Sequence, residues 1–206
     1  MNRIMFIKTF ALICATVNAA NAGNGAADIV LGNAEMSLNG VKASTSFNYE
    51  ASAYYVNDYN FLVTGSYIFS DGKITGERFT NRSYSLGGGL AFSNSLNPWL
   101  GIGSFSGLTL SMSNSDLDIG NVSSNDSSTR VRYFGEIALR PRTSFSYSIS
   151  TPTDQFGDNI SYSTAIRYKT NYSIGTISFG MSGSQNEFDG FGQKSTGFFI
   201  GVGIPR

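Results

Sequence analysis

Hydrophobic and polar residues alternate with a period of two over most of this chain. The pattern is clearest in 43–55, where Tyr49 and Tyr55 share one parity while Asn48 and Glu50 share the other. Successive side chains of a β-strand point to opposite faces, so this alternation predicts a strand with one apolar and one polar face. The same alternation recurs in the segments 61–69, 84–92, 130–150, 160–168 and 198–204.

Segment 130–150 contains two such strands and shows their length. Val131, Tyr133 and Ile137 alternate with charged residues, and the alternation resumes after a turn at Pro141. A strand that crosses lipid at a tilt needs about 9–11 residues, which matches the spacing between turns here. The sequence therefore predicts strands that can span a membrane.

Three other segments alternate less regularly. In 29–38 the apolar residues change parity after Leu31, which indicates a β-bulge or a misassigned strand. Asn39-Gly40 follows, and this dipeptide is a strong signal for a tight hairpin. Segment 99–112 has mixed parity, and 172–181 changes parity partway along. All three are interpreted as strands, with 29–38 the weakest.

The connections between the strands alternate in length. The short ones are 57–60, 94–98, 140–143 and 169–171. The long polar ones are 71–82, 114–129, 151–159 and 183–194. Outer-membrane barrels have short turns at the periplasmic end and long loops outside, whereas a β-sandwich has no reason to sort its connections. Asp71-Gly72 offers an alternative for the first long connection, a hairpin whose arms extend beyond the membrane.

The predicted fold class is all-β: a closed antiparallel transmembrane up-and-down β-barrel. Nine strands follow residue 43, and a closed bacterial barrel needs an even number, so 29–38 supplies the tenth. Eight strands are the alternative. Shared parity predicts a lipid-facing set: Phe47, Tyr49, Ala53, Val63, Tyr67, Val131, Tyr133, Ile137, Tyr147, Ile166, Ile200 and Val202.

Residues 1–22 have the pattern of a secretory signal peptide. Positive residues precede a short apolar run, and Ala-Asn-Ala at 20–22 supplies a cleavage site of small residues. Cleavage would leave 23–206 as a single outer-membrane barrel domain. The one cysteine, Cys14, is expected to be removed with the signal peptide, because Ile13 before it is too bulky for lipoprotein processing.

Composition excludes several classes of function. Lys and Arg total 14, as do Asp and Glu, so there is no net charge to attract nucleic acid. Charged residues make up only 14% of the chain, below the quarter that is usual in a soluble domain. Histidine, the commonest general base and metal ligand, is absent from the sequence. We therefore expect no catalytic residues, no metal site and no cofactor.

Two sets of residues are the candidate sites. The polar face carries four charged residues that would point into a narrow lumen: Glu50, Arg132, Glu136 and Arg167. Buried charges must be paired, so we expect an internal network of ion pairs and hydrogen bonds, or alternatively a charged constriction that selects small solutes. An interfacial aromatic girdle is expected at the short-turn ends of the strands: Tyr55, Trp99, Tyr168 and Tyr172.

Three further motifs have simpler explanations. Segment 116–120 resembles the start of a calcium loop but lacks the later bidentate glutamate. The glycines at 87–89 do not precede a helix pattern, so they indicate a strand bend or space for a bulky neighbour rather than a phosphate loop. Lys73, Arg78 and Arg82 could contact lipopolysaccharide phosphates, although solvated loop residues explain them as well.

The whole pattern resembles the small bacterial outer-membrane β-barrel proteins, the group with OmpA-like and OmpX-like members. The resemblance rests on the signal peptide, the period-two strands, the sorted connections and a final strand of aromatic and aliphatic residues. It implies a Gram-negative outer-membrane location with lipid and lipopolysaccharide as partners. It also implies a non-enzymatic structural or surface-interaction role, with an extracellular ligand bound through the long loops. A narrow, porin-like channel and a secreted soluble β-sandwich or adhesin subunit are the alternatives.

Overall fold

A computed structural model describes residues 25–93, 104–140, 142–154, 159–170, 175–188 and 191–204. Its regular elements are β1 (Gly25–Leu38), β2 (Val41–Val56), β3 (Phe61–Ile74), β4 (Glu77–Ser93), β5 (Ser104–Ile119), β6 (Val122–Arg140), β7 (Thr143–Pro152), β8 (Ser161–Lys169), β9 (Thr176–Phe188) and β10 (Phe191–Ile204). In these residues there is no helix long and apolar enough to cross a membrane.

The ten strands form one closed sheet. Each strand pairs antiparallel with its neighbours in sequence, and β1 pairs with β10 to close the ring, with Ile29 opposite Val202. The predicted all-β, up-and-down, closed barrel of ten strands is therefore confirmed. Neither an eight-stranded barrel nor a β-sandwich describes the fold.

The outer surface carries an apolar belt. Side chains of the predicted outward parity are strongly exposed, including Leu86 (66%), Met112 (75%), Phe179 (59%) and Phe198 (78%). A soluble monomer rarely exposes a contiguous apolar patch of more than a few hundred Å². Phe47 belongs to the predicted lipid-facing set, but its side chain is not among those that the structure describes.

Three of the predicted long loops are instead extended hairpins. Residues 71–82 belong to β3 and β4, which meet in a two-residue turn at Thr75 and Gly76 with φ of 49° and 90°. Both angles are left-handed, as in the type I′ turn that suits antiparallel strands. Residues 114–129 and 183–194 likewise continue strands beyond the belt. The prediction failed there because outward polar residues remove the contrast between the faces, not because the strands end.

The barrel has two different ends, here called the turn end and the arm end. The turn end carries the short connection 57–60, Arg142 and both chain termini of the described barrel; the arm end carries the extended hairpins. The wall is lowest at β7 and β8, which have 10 and 9 residues against 19 in β6. Pairing between β7 and β8 stops at Ser150 and Ser161, so the paired wall is shorter here than at β6. The remaining predicted loop, 151–159, begins with the last residues of β7, and 155–158 lie outside the described residues.

The apparent change of parity in 29–38 reflects an apolar interior rather than a bulge in β1. β1 pairs with β10 in one unbroken register from Ala27 to Leu38, and the register shifts of β2 against both β1 and β3 place the irregularity in β2. Met36 and Leu38 keep the inward parity of Asp28, and part of the arm-end interior is apolar. They belong to a buried arm cluster formed by Met36, Leu38, Ala43, Ile74, Phe79 and Leu117.

The other two irregular segments become regular where they are described. β5 begins at Ser104, and Leu108, Leu110 and Met112 are exposed on its outer face. β9 begins at Thr176, near the predicted change of parity. Residues 94–103 and 171–174 lie outside the described residues.

Candidate functional site

The lumen is the candidate site, because the charged residues of the polar face converge there. Its turn end is filled by an apolar group, here called the turn-end plug: Tyr54, Val56, Leu62, Ala91, Phe105 and Phe134. The ring of Tyr54 stacks on Phe105 at 5.0 Å, and Phe134 packs against both rings at 5.6 and 5.9 Å. These aromatic side chains come from β2, β5 and β6 and cover one side of the lumen.

Glycine makes room for the plug. A Cβ on Gly107 would lie 2.5 Å from Leu62 Cδ2 and 3.1 Å from the Phe134 ring. Gly89 faces the same way, and its Cβ would fall 1.9 Å from the carbonyl oxygen of Leu108. The glycines at 87–89 therefore lie in a β4 strand, where Gly87 and Gly89 allow close approach of β5.

An ion cluster covers the other side of the lumen at nearly the same height. The Arg167 guanidinium donates to Glu136 Oε2 at 3.1 Å and also contacts Asp28 Oδ1. Ser144 donates to the same glutamate through Oε1. The Arg167 side chain is only 8% exposed, so both carboxylates help to balance a buried positive charge. β1, β6 and β8 are thereby joined across the barrel.

Glu50 and Arg132 lie nearer the middle of the lumen and do not join this cluster. Within the described residues no hydrogen bond or ion pair connects them directly, although their opposite charges act on each other through space. The Arg132 guanidinium carbon lies 5.1 Å from the centre of the Phe134 ring, a cation–π geometry. Both residues line two adjoining cavities of about 110 and 190 Å³.

The structure thus brings together only part of the predicted lumen set. Glu136 and Arg167 are in contact, whereas Glu50 and Arg132 face cavities. Asp28 completes the ion cluster and was missed, because it lies one residue before the weakest predicted strand, 29–38. Its position offered one signal: an acidic residue beside the outward-facing Ile29 has the inward parity.

The larger cavity, here called the serine chamber, occupies the arm-end half of the lumen. The serines that line it are Ser66, Ser70, Ser83, Ser85, Ser111, Ser113, Ser115, Ser128, Ser148, Ser150, Ser161, Ser163, Ser182, Ser184 and Ser195. Met36 of the arm cluster lies at its upper end, and Glu50 and Arg132 lie at its floor. Short hydroxyl side chains leave this part of the lumen more open than the turn end, where the smaller cavity of about 110 Å³ lies between the plug and the ion cluster.

Arg130 stabilises the low side of the chamber wall. Its Nη2 donates to the carbonyl of Asn159 at 2.6 Å and to Ser161 Oγ and the Ser150 carbonyl at 3.3 Å. These contacts tie β6 to the last residues of β7 and to the start of β8. Arg130 begins the predicted strand segment 130–150, and no pattern in the sequence indicated this role.

The predicted girdle is described only in part. Tyr55 and Tyr168 lie on the outer face near the turn end, 37% and 48% exposed. Trp99 and Tyr172 lie outside the described residues.

Two arginines of the arms have carboxylate partners on neighbouring strands. Arg78 pairs with Asp71, and Arg82 lies 3.5 Å from Asp118. Residues 116–119, which resembled a calcium loop, are paired strand of β5 rather than a loop. Across the described residues, no group of three or more acidic, cysteine or histidine side chains is placed to hold a metal ion.

No family model and no curated protein sequence matches this chain. Among solved structures it resembles Neisserial surface protein A, with 14% identity, 87% of this chain and 96% of that chain covered, and a TM-score of 0.43. The attachment invasion locus protein of Yersinia pestis shares 12% identity, with 87% and 99% covered and a TM-score of 0.38. The transport unit of the autotransporter AIDA-I from Escherichia coli shares 12%, with 89% and 90% covered and a TM-score of 0.44. In architecture, the chain is similar to outer-membrane β-barrels.

Proposed function

We propose that this protein is a non-enzymatic outer-membrane β-barrel with a closed lumen and hairpin arms at the cell surface. The observation that carries the proposal is the apolar belt on the outside of a closed barrel. Leu86, Met112 and Phe198 are each more than half exposed, and only lipid offers such side chains a favourable environment all around a barrel. The signal peptide pattern in 1–22 supports export by the general secretory route.

Closure of the lumen is the second part of the proposal. The turn-end plug blocks one side of the cross-section, and the Asp28–Arg167–Glu136 cluster blocks the other. Side chains of a ten-stranded barrel can fill a lumen of this width. A closed lumen favours a structural or surface role over transport.

The arms are the part of the molecule that would meet extracellular partners. Arg82 lies on β4 two residues from the exposed Tyr84, and Lys73 lies opposite Arg78 near the tip of the same hairpin. The arms are proposed to contact lipopolysaccharide phosphates as well as a surface ligand. Arg78 and Arg82 already have carboxylate partners, which leaves Lys73 as the stronger phosphate contact.

A narrow channel is the second candidate function. The two adjoining cavities of about 110 and 190 Å³ favour it, since they follow one another within the lumen. Passage would require the ion cluster or the aromatic plug to move aside. A charged constriction of this kind would admit only small solutes.

Fractionation and surface labelling test membrane location and orientation together. The protein should sediment with outer membranes and change gel mobility on heating. Asn121→Cys, at the tip of the β5–β6 arm, should react with a membrane-impermeant maleimide on intact cells. Asp58→Cys, in the exposed turn 57–60, is the matched control and should react only after permeabilisation. Recovery in the soluble periplasmic fraction, or labelling of Asp58→Cys alone on intact cells, would contradict the proposal.

A further inference from the structure

The serine chamber contains unfilled space that longer side chains could occupy. Phe105 and Phe134 fill the turn end of the same barrel, so long side chains are compatible with a lumen of this width. The chamber instead leaves a cavity of about 190 Å³ behind a wall of serines. A single water molecule needs only about 10–15 Å³ of such space, so there is room for several waters or one small organic molecule.

Several buried polar atoms of the chamber wall lack partners. Asn81 Oδ1, Gln193 Oε1 and Arg132 Nε have no hydrogen-bond partner among the described residues. The side chains of Asn81 and Gln193 are nearly fully buried, at 8% and 2% exposure, and both line the chamber. An unsatisfied buried polar atom costs about 1–3 kcal/mol, so a molecule in the cavity that reaches these groups would relieve that cost.

A row of hydroxyl groups adds to this set. Ser148, Ser163 and Ser182 are adjacent across β7, β8 and β9. In the described part of the chain none of these three hydroxyls hydrogen-bonds to another protein group, whereas Ser66 pairs with Ser85 at 2.7 Å. The row therefore presents groups that can each donate and accept a hydrogen bond.

The chemistry of the wall selects the class of ligand. Its charges balance, since Glu50 is opposed by Arg132 and Asp126 by Arg130. An ion of either sign would gain little there. Hydroxyl and amide groups that both donate and accept match a ligand whose own groups do the same. We propose that the serine chamber binds a small neutral polyol or monosaccharide.

The chamber extends to the low side of the wall at β7 and β8. Asp126, Ser128 and Arg130 of β6 and Ser161 of β8 line the chamber at this low side of the wall. The turn-end plug and the ion cluster close the opposite end. The chamber is then a site that fills and empties from the arm end, and it differs from a pore in that binding needs no conductance.

Ligand binding to the purified barrel tests the proposal directly. The protein is held in an amine-oxide detergent, which has no sugar headgroup to compete. Glycerol, myo-inositol, D-glucose and D-galactose are titrated by calorimetry and by saturation-transfer NMR, with glycine and inorganic phosphate as charged controls. Saturable binding of at least one neutral probe, without binding of glycine or phosphate, is expected. No saturable binding of any neutral probe, or a preference for glycine or phosphate, overturns the proposal.

Two variants locate the site. Ser163→Gln places a longer polar side chain in the hydroxyl row, and Gln193→Leu removes an amide whose oxygen has no partner among the described residues; each should weaken binding about tenfold or more. Ser127→Gln, an identical change to Ser163→Gln but on the exposed outer face of β6, should leave affinity unchanged. Folding of each variant is checked by heat-modifiable gel mobility, and Ser182→Gln replaces either chamber variant that does not fold. Unchanged affinity in a folded chamber variant shows that binding occurs elsewhere and overturns the assignment.

Discussion

At the turn end of the lumen, aromatic rings and a buried arginine with its two carboxylates occupy the cross-section. In the serine chamber, the eight strands from β3 to β10 carry serine on their inner faces and leave a cavity of about 190 Å³. Both halves lie behind one continuous outer belt, so lipid contact does not explain the difference. Leu62 is fully buried at the turn end, whereas the hydroxyls of Ser148 and Ser163 face open space.

This contrast assigns different tasks to the two halves. Apolar burial and ion pairing at the turn end supply packing energy and close the passage. The serine chamber contributes little packing energy but keeps polar groups available to water or a ligand, and the packed interior of the arm end is the separate arm cluster around Phe79 and Leu117. Substitutions in the plug and in the chamber should therefore differ in their effect on the free energy of unfolding.

Phe105→Ala is expected to have the largest effect. The side chain is 6% exposed and stacks on Tyr54, so its loss leaves a cavity in the plug. Truncating a buried phenylalanine costs about 3–5 kcal/mol in the free energy of unfolding. Urea unfolding of the refolded barrel in lipid measures this, with Phe105→Leu as a milder control. A loss below that of Phe105→Leu would mean that the turn end is not the packed half.

Ile137→Arg should have the next largest effect, and it tests which face is the inside. Ile137 faces outward in the belt, whereas its neighbour Ala138 faces the lumen. Arginine on the lipid face near the membrane midplane costs about 2–4 kcal/mol, while a lumen site can hydrate it. Folding yields of Ile137→Arg and Ala138→Arg in lipid vesicles are compared. Equal yields would show that Ile137 does not face lipid or that Ala138 does not face the lumen.

Arg167→Met should rank third. It leaves Asp28 and Glu136 close together without their shared cation, which is expected to cost about 2–3 kcal/mol after allowance for partial exposure of the carboxylates. Urea unfolding again gives the value. The matched control neutralises all three groups, as Asp28→Asn, Glu136→Gln and Arg167→Met together. This triple variant should regain most of the loss; failure to do so would mean that charge balance is not what Arg167 provides.

Ser113→Ala should have the smallest effect. Ser113 lines the chamber, and its hydroxyl has no protein partner among the described residues. Removing a group that only meets water should change the free energy of unfolding by no more than about 0.5 kcal/mol. The same unfolding assay applies. A loss comparable to that of Phe105→Ala would erase the distinction between the two halves.

The sequence predicted the barrel better than its interior. Alternation around Tyr49 and in 130–150 predicted which face of each strand points outward, because lipid makes one face uniformly apolar. The number of strands followed from the count of such segments and from the even number that a closed barrel requires. The arms in 114–129 were mistaken for a loop, since beyond the lipid polar residues face outward as well. Strand periodicity loses its signal wherever the two faces meet similar environments.

The contacts inside the lumen depended on closure of the sheet. Asp28 and Arg167 are 139 residues apart in sequence and meet only because β1 pairs with β10. Phe134 has the inward parity of Arg132 and Glu136, but a rule that expects polar side chains on this face does not predict its role in the plug. Lumen-facing aromatic residues break the alternation and therefore need the structure to be recognised.

Single-channel recording in planar bilayers tests the closed lumen most directly. The purified protein is added to a bilayer beside Phe105→Ala and Arg167→Met, after heat-modifiable mobility has shown that each is folded. We expect little or no steady conductance from the wild type, and more frequent openings from the two variants, which loosen opposite sides of the same cross-section. A large, steady wild-type conductance that neither substitution changes would contradict a closed turn end and would make the protein an open channel.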